Sequence, residues 1–428
     1  MKSWFLLRFY RFLWRFLPKI IPFYLKKRGK KNPAYIQNWG ERFGEVHPNP
    51  VKNAIWIHAV SVGETHAAVP IVRHLQQHFP DAPLLITQMT PTGRDTAQKL
   101  FPNAQCRYLP YDNPQFVAQF LREHQPRFGV LMETEIWVNL LHACRQQNVP
   151  IFLANARLSD RSLQGYLRVQ SLISPALATL SACFAQTQAD AQRLQQLGVP
   201  ETIVCGNSKY DVVPTMSSAD AEIIDFPEIL GERKIALCAS TRFYDDVDEA
   251  ELLLQAWQNY HGDALLLIVP RHPERFDAVY QMAKKMGFIT QKRSDLQPIA
   301  ANTQVLVGDS MGEMTMYYQL ADMAFIGGSL VDSGCQNPIE AAAAGKAMMF
   351  GFSTYNFAQV CQDALNAQAA VQVQTANEWR EQVEQWLHNP DICQQIGENA
   401  RKFVAQHRGA SQKMADLIAA KVKPKQLL

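Results

Sequence analysis

The 428-residue chain lacks most of the short signatures that assign a chemistry outright. Its eight cysteines (Cys106, Cys144, Cys183, Cys205, Cys238, Cys335, Cys361 and Cys393) form no C-x-x-C pair, and its eleven histidines fall at no metal-ligand spacing. That leaves no zinc or redox motif. Thiols scattered through apolar runs pack as small hydrophobes, as in a reduced cytosolic protein. No Walker A sequence is present and no G-x-G-x-x-G opens the first helix, which excludes a P-loop and a standard dinucleotide-binding turn. No run of roughly 20 uncharged apolar residues offers an ordinary membrane span. Charged residues make up only 19% and hydrophobic ones 47%, so the chain is not a disordered polymer.

The body also lacks positive charge. Residues 1–50 hold eleven Lys/Arg and two Asp/Glu, a net of +9, so the other 378 residues carry 31 basic and 37 acidic side chains, a net of −6. A nucleic-acid binder needs a basic face on its folded domain, and nucleic acid is therefore not an expected partner. The basic character belongs to residues 1–31, where Trp4, Phe5, Leu6, Phe9, Phe12, Leu13, Phe16 and Leu17 interleave with Arg8, Arg11, Arg15 and Lys19. The four cations recur at spacings of three or four and line one stripe of a helix, which Pro18 and Pro22 are expected to interrupt. A signal peptide is excluded, because its apolar core would be uncharged. Each arginine at the bilayer centre costs about 2.5–3.5 kcal/mol, which disfavours a spanning helix. The pattern fits a helix lying in the interface of an anionic membrane, and Lys26, Lys27, Arg28, Lys30 and Lys31 keep the body on the cytoplasmic side.

From residue 53 onward, continuous apolar runs alternate with amphipathic helical patterns. The strand candidates are "AIWIHAV", "PLLITQ", "CRYLPY", "FGVLMET", "PIFLANA", "ACFAQT" and "TIVCGN". The alternation pauses over residues 212–233, which are acidic with Pro and Ser and read as a linker. It restarts with "KIALCAS", "ALLLIVP", "QVLVGD", "MAFIGGS" and "KAMMFG". Such alternation means α/β architecture, with two doubly wound parallel sheets covered on both faces. The expected organisation is an anchoring segment at 1–31, a first Rossmann-like domain at 32–211, the linker, a second domain at 234–405 and a helical tail at 406–428.

Ligands of such sheets sit at the carboxyl ends of the strands, and chemistry-bearing residues cluster there. The first half places Gly63 and Glu64 after its first strand, then Glu133, Thr134 and Glu135. "NARLSDRS" follows, with Asn155, Arg157, Ser159 and Arg161, then "GNSKYD", with Asn207, Lys209 and Asp211. One carboxylate after a strand is usually a helix cap; four polar clusters on one rim point to a site. Pro70 cannot donate a helical hydrogen bond, so the regular helix is expected to settle beyond it and leave Glu64 in the turn. In the second half, Pro270, Arg271 and His272 follow a strand, Met311, Gly312 and Glu313 open a helix, and Gly327-Gly328-Ser329 forms a turn that could admit an anion. Asn337 and Glu340 begin the next helix. For Glu313 and Glu340 the plain role is to offset a helix dipole; the functional one is to grip ribose hydroxyls.

Taken together, "HAVSVGET", "TPTG", "METEIWVN", "NARLSDRS", "GNSKYD", "VPRHPERF", "GDSMGEM", "AFIGGSL" and "NPIEAAA" resemble the bacterial 3-deoxy-D-manno-octulosonic acid (Kdo) transferases. The resemblance implies a GT-B glycosyltransferase, with two Rossmann-like domains about a cleft, using CMP-Kdo as donor and the lipid A precursor as acceptor. It also implies inversion at the anomeric carbon, with no cofactor and no active-site metal. It assigns Glu64 the role of general base, and Glu133 and Lys209 that of transition-state stabilisers. It assigns CMP contacts to Pro270, Arg271, Met311, Gly312, Glu313, Asn337, Pro338, Ile339 and Glu340. The chain departs from the family pattern at Arg242-Phe243-Tyr244, where His-Glu-Gly is common, at Cys335-Gln336 for Gly-His, at Ala341 for Pro and at Val138 for Pro. The alternatives are another GT-B enzyme, such as a nucleotide-sugar epimerase, and a membrane-tethered binding protein without activity.

Overall fold

The computed structural model describes residues 2–30, 32–212 and 233–422. The linker expected over 212–233 lies, apart from its two end residues, outside the described residues. The chain divides into two compact units, one made of Met1–Val212 and His407–Leu428, the other of Val213–Gln406.

In the first unit, seven strands form one parallel sheet. They are β1 (Ile55–His58), β2 (Leu84–Gln88), β3 (Gln105–Tyr108), β4 (Phe128–Met132), β5 (Ile151–Ala156), β6 (Ala182–Ala185) and β7 (Thr202–Val204). Their order is β3-β2-β1-β4-β5-β6-β7. Strands β1, β2, β4, β5 and β6 are buried along their whole length. Helices on both faces leave no room for polar alternation, hence the continuous apolar runs. The strand order reverses between β1 and β4, where Ile57 lies opposite Val130. That reversal opens a crevice at the strand ends.

The last helix, Ala410–Val422, also belongs to this unit. Its Met414, Ala415, Ile418 and Ala419 are buried in one cluster with Ala67, Ala68, Ile71, Val72 and Leu75. The Asp211 carboxylate accepts hydrogen bonds from the N–H groups of Gly409 (2.6 Å) and Ser411 (2.7 Å), capping the helix from 200 residues away.

The N-terminal residues form two helices, α1 (Lys2–Leu13) and α2 (Leu17–Gly29). The proline expectation is corrected in detail. The break falls at residues 14–16, Pro18 lies in the first turn of α2, where its missing N–H has no partner to lose, and Pro22 lies inside α2. The cationic stripe is also divided. Arg8, Arg15 and Lys19 are exposed, but Arg11 turns inward and its Nε donates to Asn139 Oδ1 at 3.2 Å. Tyr10 donates to Asp112 Oδ2 at 2.8 Å, and the same buried carboxylate accepts from the N–H groups of Asn139 and Leu140. Burial pushes Asp112 up to about 6 against these hydrogen bonds. Helix α1 is thus fastened by polar hooks, while Trp4, Phe5, Phe9, Phe12, Leu13 and Phe16 remain exposed. Among the described residues no helix is long and apolar enough to cross a membrane.

The second unit repeats the plan. Its strands are β8 (Ile235–Thr241), β11 (Leu265–Pro270), β12 (Thr290–Lys292), β13 (Val305–Val307), β14 (Met323–Ile326), β15 (Ala347–Phe350) and β16 (Ala370–Gln372). They form a parallel sheet in the order β12-β13-β11-β8-β14-β15-β16. A two-residue hairpin, β9 (Phe243–Tyr244) and β10 (Val247–Asp248), stands apart. The edge strands β12 and β16 were not among the sequence candidates. Each has three residues and is not buried throughout, so neither reads as an apolar run. The reversal here falls between β8 and β14.

Candidate active site

At the end of β1, Ser61 caps α3 (Val62–His78) and Glu64 occupies the third helical position. Ser61 Oγ donates to Glu64 Oε1 (3.0 Å), and the Val60 N–H donates to Oε2 (2.8 Å). This S-x-x-E arrangement is a variant of the capping box, and it starts the helix at Val62, eight residues before Pro70. The expectation that Glu64 would lie in a turn ahead of the regular helix is therefore corrected. The buried face of Ala67, Ala68, Ile71, Val72 and Leu75 holds the helix together around the proline. Glu64 is half-buried. Burial and the neighbouring Glu133 carboxylate push it up to about 7, against the Val60 and Ser61 hydrogen bonds and the charge of Lys209.

At the end of β4, Glu133 adopts a left-handed conformation (φ 56°), which costs about 1 kcal/mol or more and needs support. Its carboxylate is held by the Lys209 ammonium, 2.9 Å from Glu133 Oε1. Lys209 reaches it because the chain after β7 folds back: Asn155, at the end of β5, accepts the Ser208 N–H at 2.9 Å. The three residues assigned catalytic roles from sequence are thus in one unit and interact electrostatically.

Two neighbours complete the group. Glu135 accepts from Trp137 Nε1 at 2.6 Å and lies 3.9 Å from His58 Nε2. Burial, then repulsion from Glu64 and Glu133, pushes Glu135 up to about 7. His58 is fully buried, its Nδ1 bonded to the Thr87 carbonyl at 3.1 Å, and burial pushes it down to about 4, so it is neutral. Glu135 stands in the same E-T-E run as Glu133, but nothing in the run distinguishes a second buried acid from a solvated one.

In the second unit, Pro270 ends β11 and Arg271 follows it. Gly312 has φ 89° and Met311 is exposed. The Glu313 carboxylate is engaged by Ser310 Oγ, by Tyr317 Oη (3.2 Å) and by Arg293 (3.4 Å). Asn337 Nδ2 donates to Glu340 Oε1 at 2.9 Å, and Asn337 Oδ1 accepts the Ile339 N–H at 3.1 Å, with Pro338 between them. Burial raises the Glu340 carboxyl, while Asn337 and Arg271 act against that.

The expectation for the Gly327-Gly328-Ser329 turn is overturned. Its N–H groups are already occupied by a protein carboxylate. Gly328 N donates to Glu249 Oε2 (2.6 Å), and Ser329 N and Leu330 N donate to Oε1 (3.0 and 2.9 Å). Arg242 N adds a fourth bond at 3.0 Å. Glu249 is fully buried at the start of the helix Glu249–Trp257. Its own side chain fills the anion nest that a phosphate would need.

Comparison with known proteins decides the family. Residues 37–212 match the family model described as 3-Deoxy-D-manno-octulosonic-acid transferase (kdotransferase), and residues 227–403 match Glycosyl transferases group 1. The 3-deoxy-D-manno-octulosonic acid transferase of Bordetella pertussis is 38% identical over 390 residues, 88% of this chain and 89% of that one. The chain belongs to the Kdo transferase family. A second relative, the 3-deoxy-D-manno-octulosonic acid transferase of Haemophilus influenzae, is 35% identical over 400 residues, 91% of this chain and 92% of that one. Among solved structures, a UDP-GlcNAc 2-epimerase from Neisseria meningitidis aligns with TM-score 0.59 at 13% identity, over 86% of this chain and 99% of that one. A glycosyltransferase from Rickettsia africae aligns with TM-score 0.59 at 12% identity, over 87% and 98%. At such identities these two establish the shared two-sheet GT-B fold alone. Family membership and fold together place the paired carboxylates and Lys209 in a sugar transferase.

Proposed function

We propose that this chain transfers Kdo from CMP-Kdo to the lipid A precursor in lipopolysaccharide core synthesis, with inversion at the anomeric carbon. One observation carries the mechanism: Glu64 is held at a helix start beside Glu133–Lys209, with its carboxyl raised to about 7. A sugar hydroxyl is a poor nucleophile and needs a base whose pKa lies near the working pH. Glu64 accepts the hydroxyl proton as the oxygen attacks the anomeric carbon. The bond from that carbon to the phosphate oxygen breaks, and its electron pair leaves on CMP. Lys209 and Glu133 offset charge around the reacting sugars. Arg271, the Met311–Glu313 turn and the Asn337–Glu340 segment hold CMP, with Arg271 meeting the charge that grows on the phosphate.

The same reading gives the N-terminal helices a role. Exposed Trp4, Phe5, Phe9, Phe12 and Phe16 beside Arg8, Arg15 and Lys19 suit the interface of an anionic membrane, on the cytoplasmic face of the inner membrane. The acceptor is amphipathic, and this keeps the enzyme beside it. The test is a transfer assay with purified protein, labelled CMP-Kdo and lipid A precursor in mixed micelles. Labelled lipid is expected; CMP-Kdo left intact, or labelled Kdo released only to water, overturns the assignment.

A further inference from the structure

The donor unit offers a second cation that no assignment above uses. Pro270 of β11 pairs with Thr241 of β8, and the Arg271 N–H donates to the Thr241 carbonyl at 3.0 Å. Arg242 and Arg271 therefore emerge side by side at the carboxyl ends of the neighbouring strands β8 and β11, and β8 borders the reversal of strand order. A third arginine nearby, Arg275, is neutralised by Asp248. Among the described residues, neither Arg242 nor Arg271 has a carboxylate within ion-pair distance. Arg242 Nε is buried and has no hydrogen-bond partner.

The backbone of Arg242 is fixed. Its N–H donates to Glu249, and its carbonyl accepts the Glu249 N–H at 2.9 Å. Its side chain runs over Gly328, where a Cβ would lie 3.2 Å from Arg242 Cγ and where φ is +77°. Glycine is needed there for the positive φ and because a Cβ would lie 2.6 Å from the Gly334 carbonyl oxygen, and its absence leaves the arginine stem room. Because Glu249 fills the backbone nest of the same turn, an anion arriving here must be met by side chains.

Resting on the reading of the function above, we propose that Arg242 and Arg271 form a two-guanidinium clamp for an oxyanion of the donor, either the nucleotide phosphate or the carboxylate of the sugar acid. Guanidinium is suited to this, since its planar fork matches both groups. Burial, then repulsion from Arg242, lowers the pKa of Arg271, and a bound anion relieves that repulsion.

Calorimetric titration of wild type, Arg242→Gln and Arg242→Lys with CMP and with cytidine, together with KM for CMP-Kdo, tests the clamp. Loss of one charge-assisted contact is expected to weaken binding about tenfold or more. Weaker CMP binding by Arg242→Gln with cytidine unchanged assigns the contact to the phosphate. Unchanged CMP binding with a raised KM for CMP-Kdo assigns it to the sugar carboxylate. Arg242→Lys should retain part of the affinity in either case. If Arg242→Gln matches wild type for CMP and CMP-Kdo, or weakens cytidine as much as CMP, the clamp is refuted. If wild type itself does not bind CMP, the functional reading fails and the clamp falls with it. Matching thermal unfolding curves identify a variant that is folded.

Discussion

Glu64→Gln separates two roles that the geometry leaves superimposed. A glutamate that only caps a helix is stabilising when ionised, and its replacement costs stability. A glutamate held as a base in a half-buried site carries the opposite sign. Its displacement from 4.5 to about 7 corresponds to about 3.5 kcal/mol at about 1.4 kcal/mol per pH unit. Between pH 4.5 and 7 the unfolded chain has released this proton while the folded chain still holds it. Stability therefore falls as pH rises through that window, and the full cost is present above pH 7. Glutamine does not titrate, and its amide oxygen can still accept from Val60 N–H and Ser61 Oγ. Allowing about 0.5–1 kcal/mol for the weaker cap and dipole contact, the variant should be about 2.5–3 kcal/mol more stable than wild type at pH 8.5 and no more stable at pH 5. Loss of the Glu64 charge also relieves Glu135, which adds to the gain. Urea unfolding followed by tryptophan fluorescence at pH 5, 7 and 8.5 measures this. A variant less stable than wild type at every pH would refute the reasoning and leave Glu64 as a cap.

Three further outcomes follow from the same structure. Lys209→Met removes the cation that lowers Glu64 and unpairs Glu133, so the acidic limb of the pH–rate profile should move to higher pH, alongside a loss of rate; an unmoved limb contradicts the coupling. Glu249→Ala leaves four backbone N–H groups without their acceptor and should destabilise the second unit by about 3–5 kcal/mol, read by limited proteolysis and thermal unfolding. Ile418→Ala, in the helix that returns to the first unit, should cost about 2–5 kcal/mol by calorimetry; a neutral result would mean that the helix is not part of that core.

The ten central strands were legible because burial on both faces writes a continuous apolar run, and the edge strands β3 and β7 also stand where such runs predict. Strands β12 and β16 carry no such run: Thr290–Lys292 is polar throughout and β16 ends in Gln372, whereas the equally short edge strand β7 continues its apolar run from Ile203 to Cys205. The start of α3 is legible too: Ser61 and Glu64 spell a capping box, which starts the helix ahead of Pro70. Glu249 had no legible signal. It opens a helix as any dipole-complementing acid does, and its partners lie 79 to 81 residues away at Gly328, Ser329 and Leu330. The same holds for Asp211, whose partner Ser411 in the capped helix lies 200 residues downstream. Local pattern reports which groups need partners; only the folded chain brings together groups so far apart in sequence.

The central claim is that Glu64 removes the acceptor's proton. Its most direct measurement is single-turnover release of CMP from CMP-Kdo, with saturating lipid A precursor at pH 8, comparing wild type with Glu64→Gln. Loss of a general base predicts a rate about 10²–10⁴-fold lower in the variant, with CMP affinity unchanged. A variant within a few-fold of wild type would contradict the account.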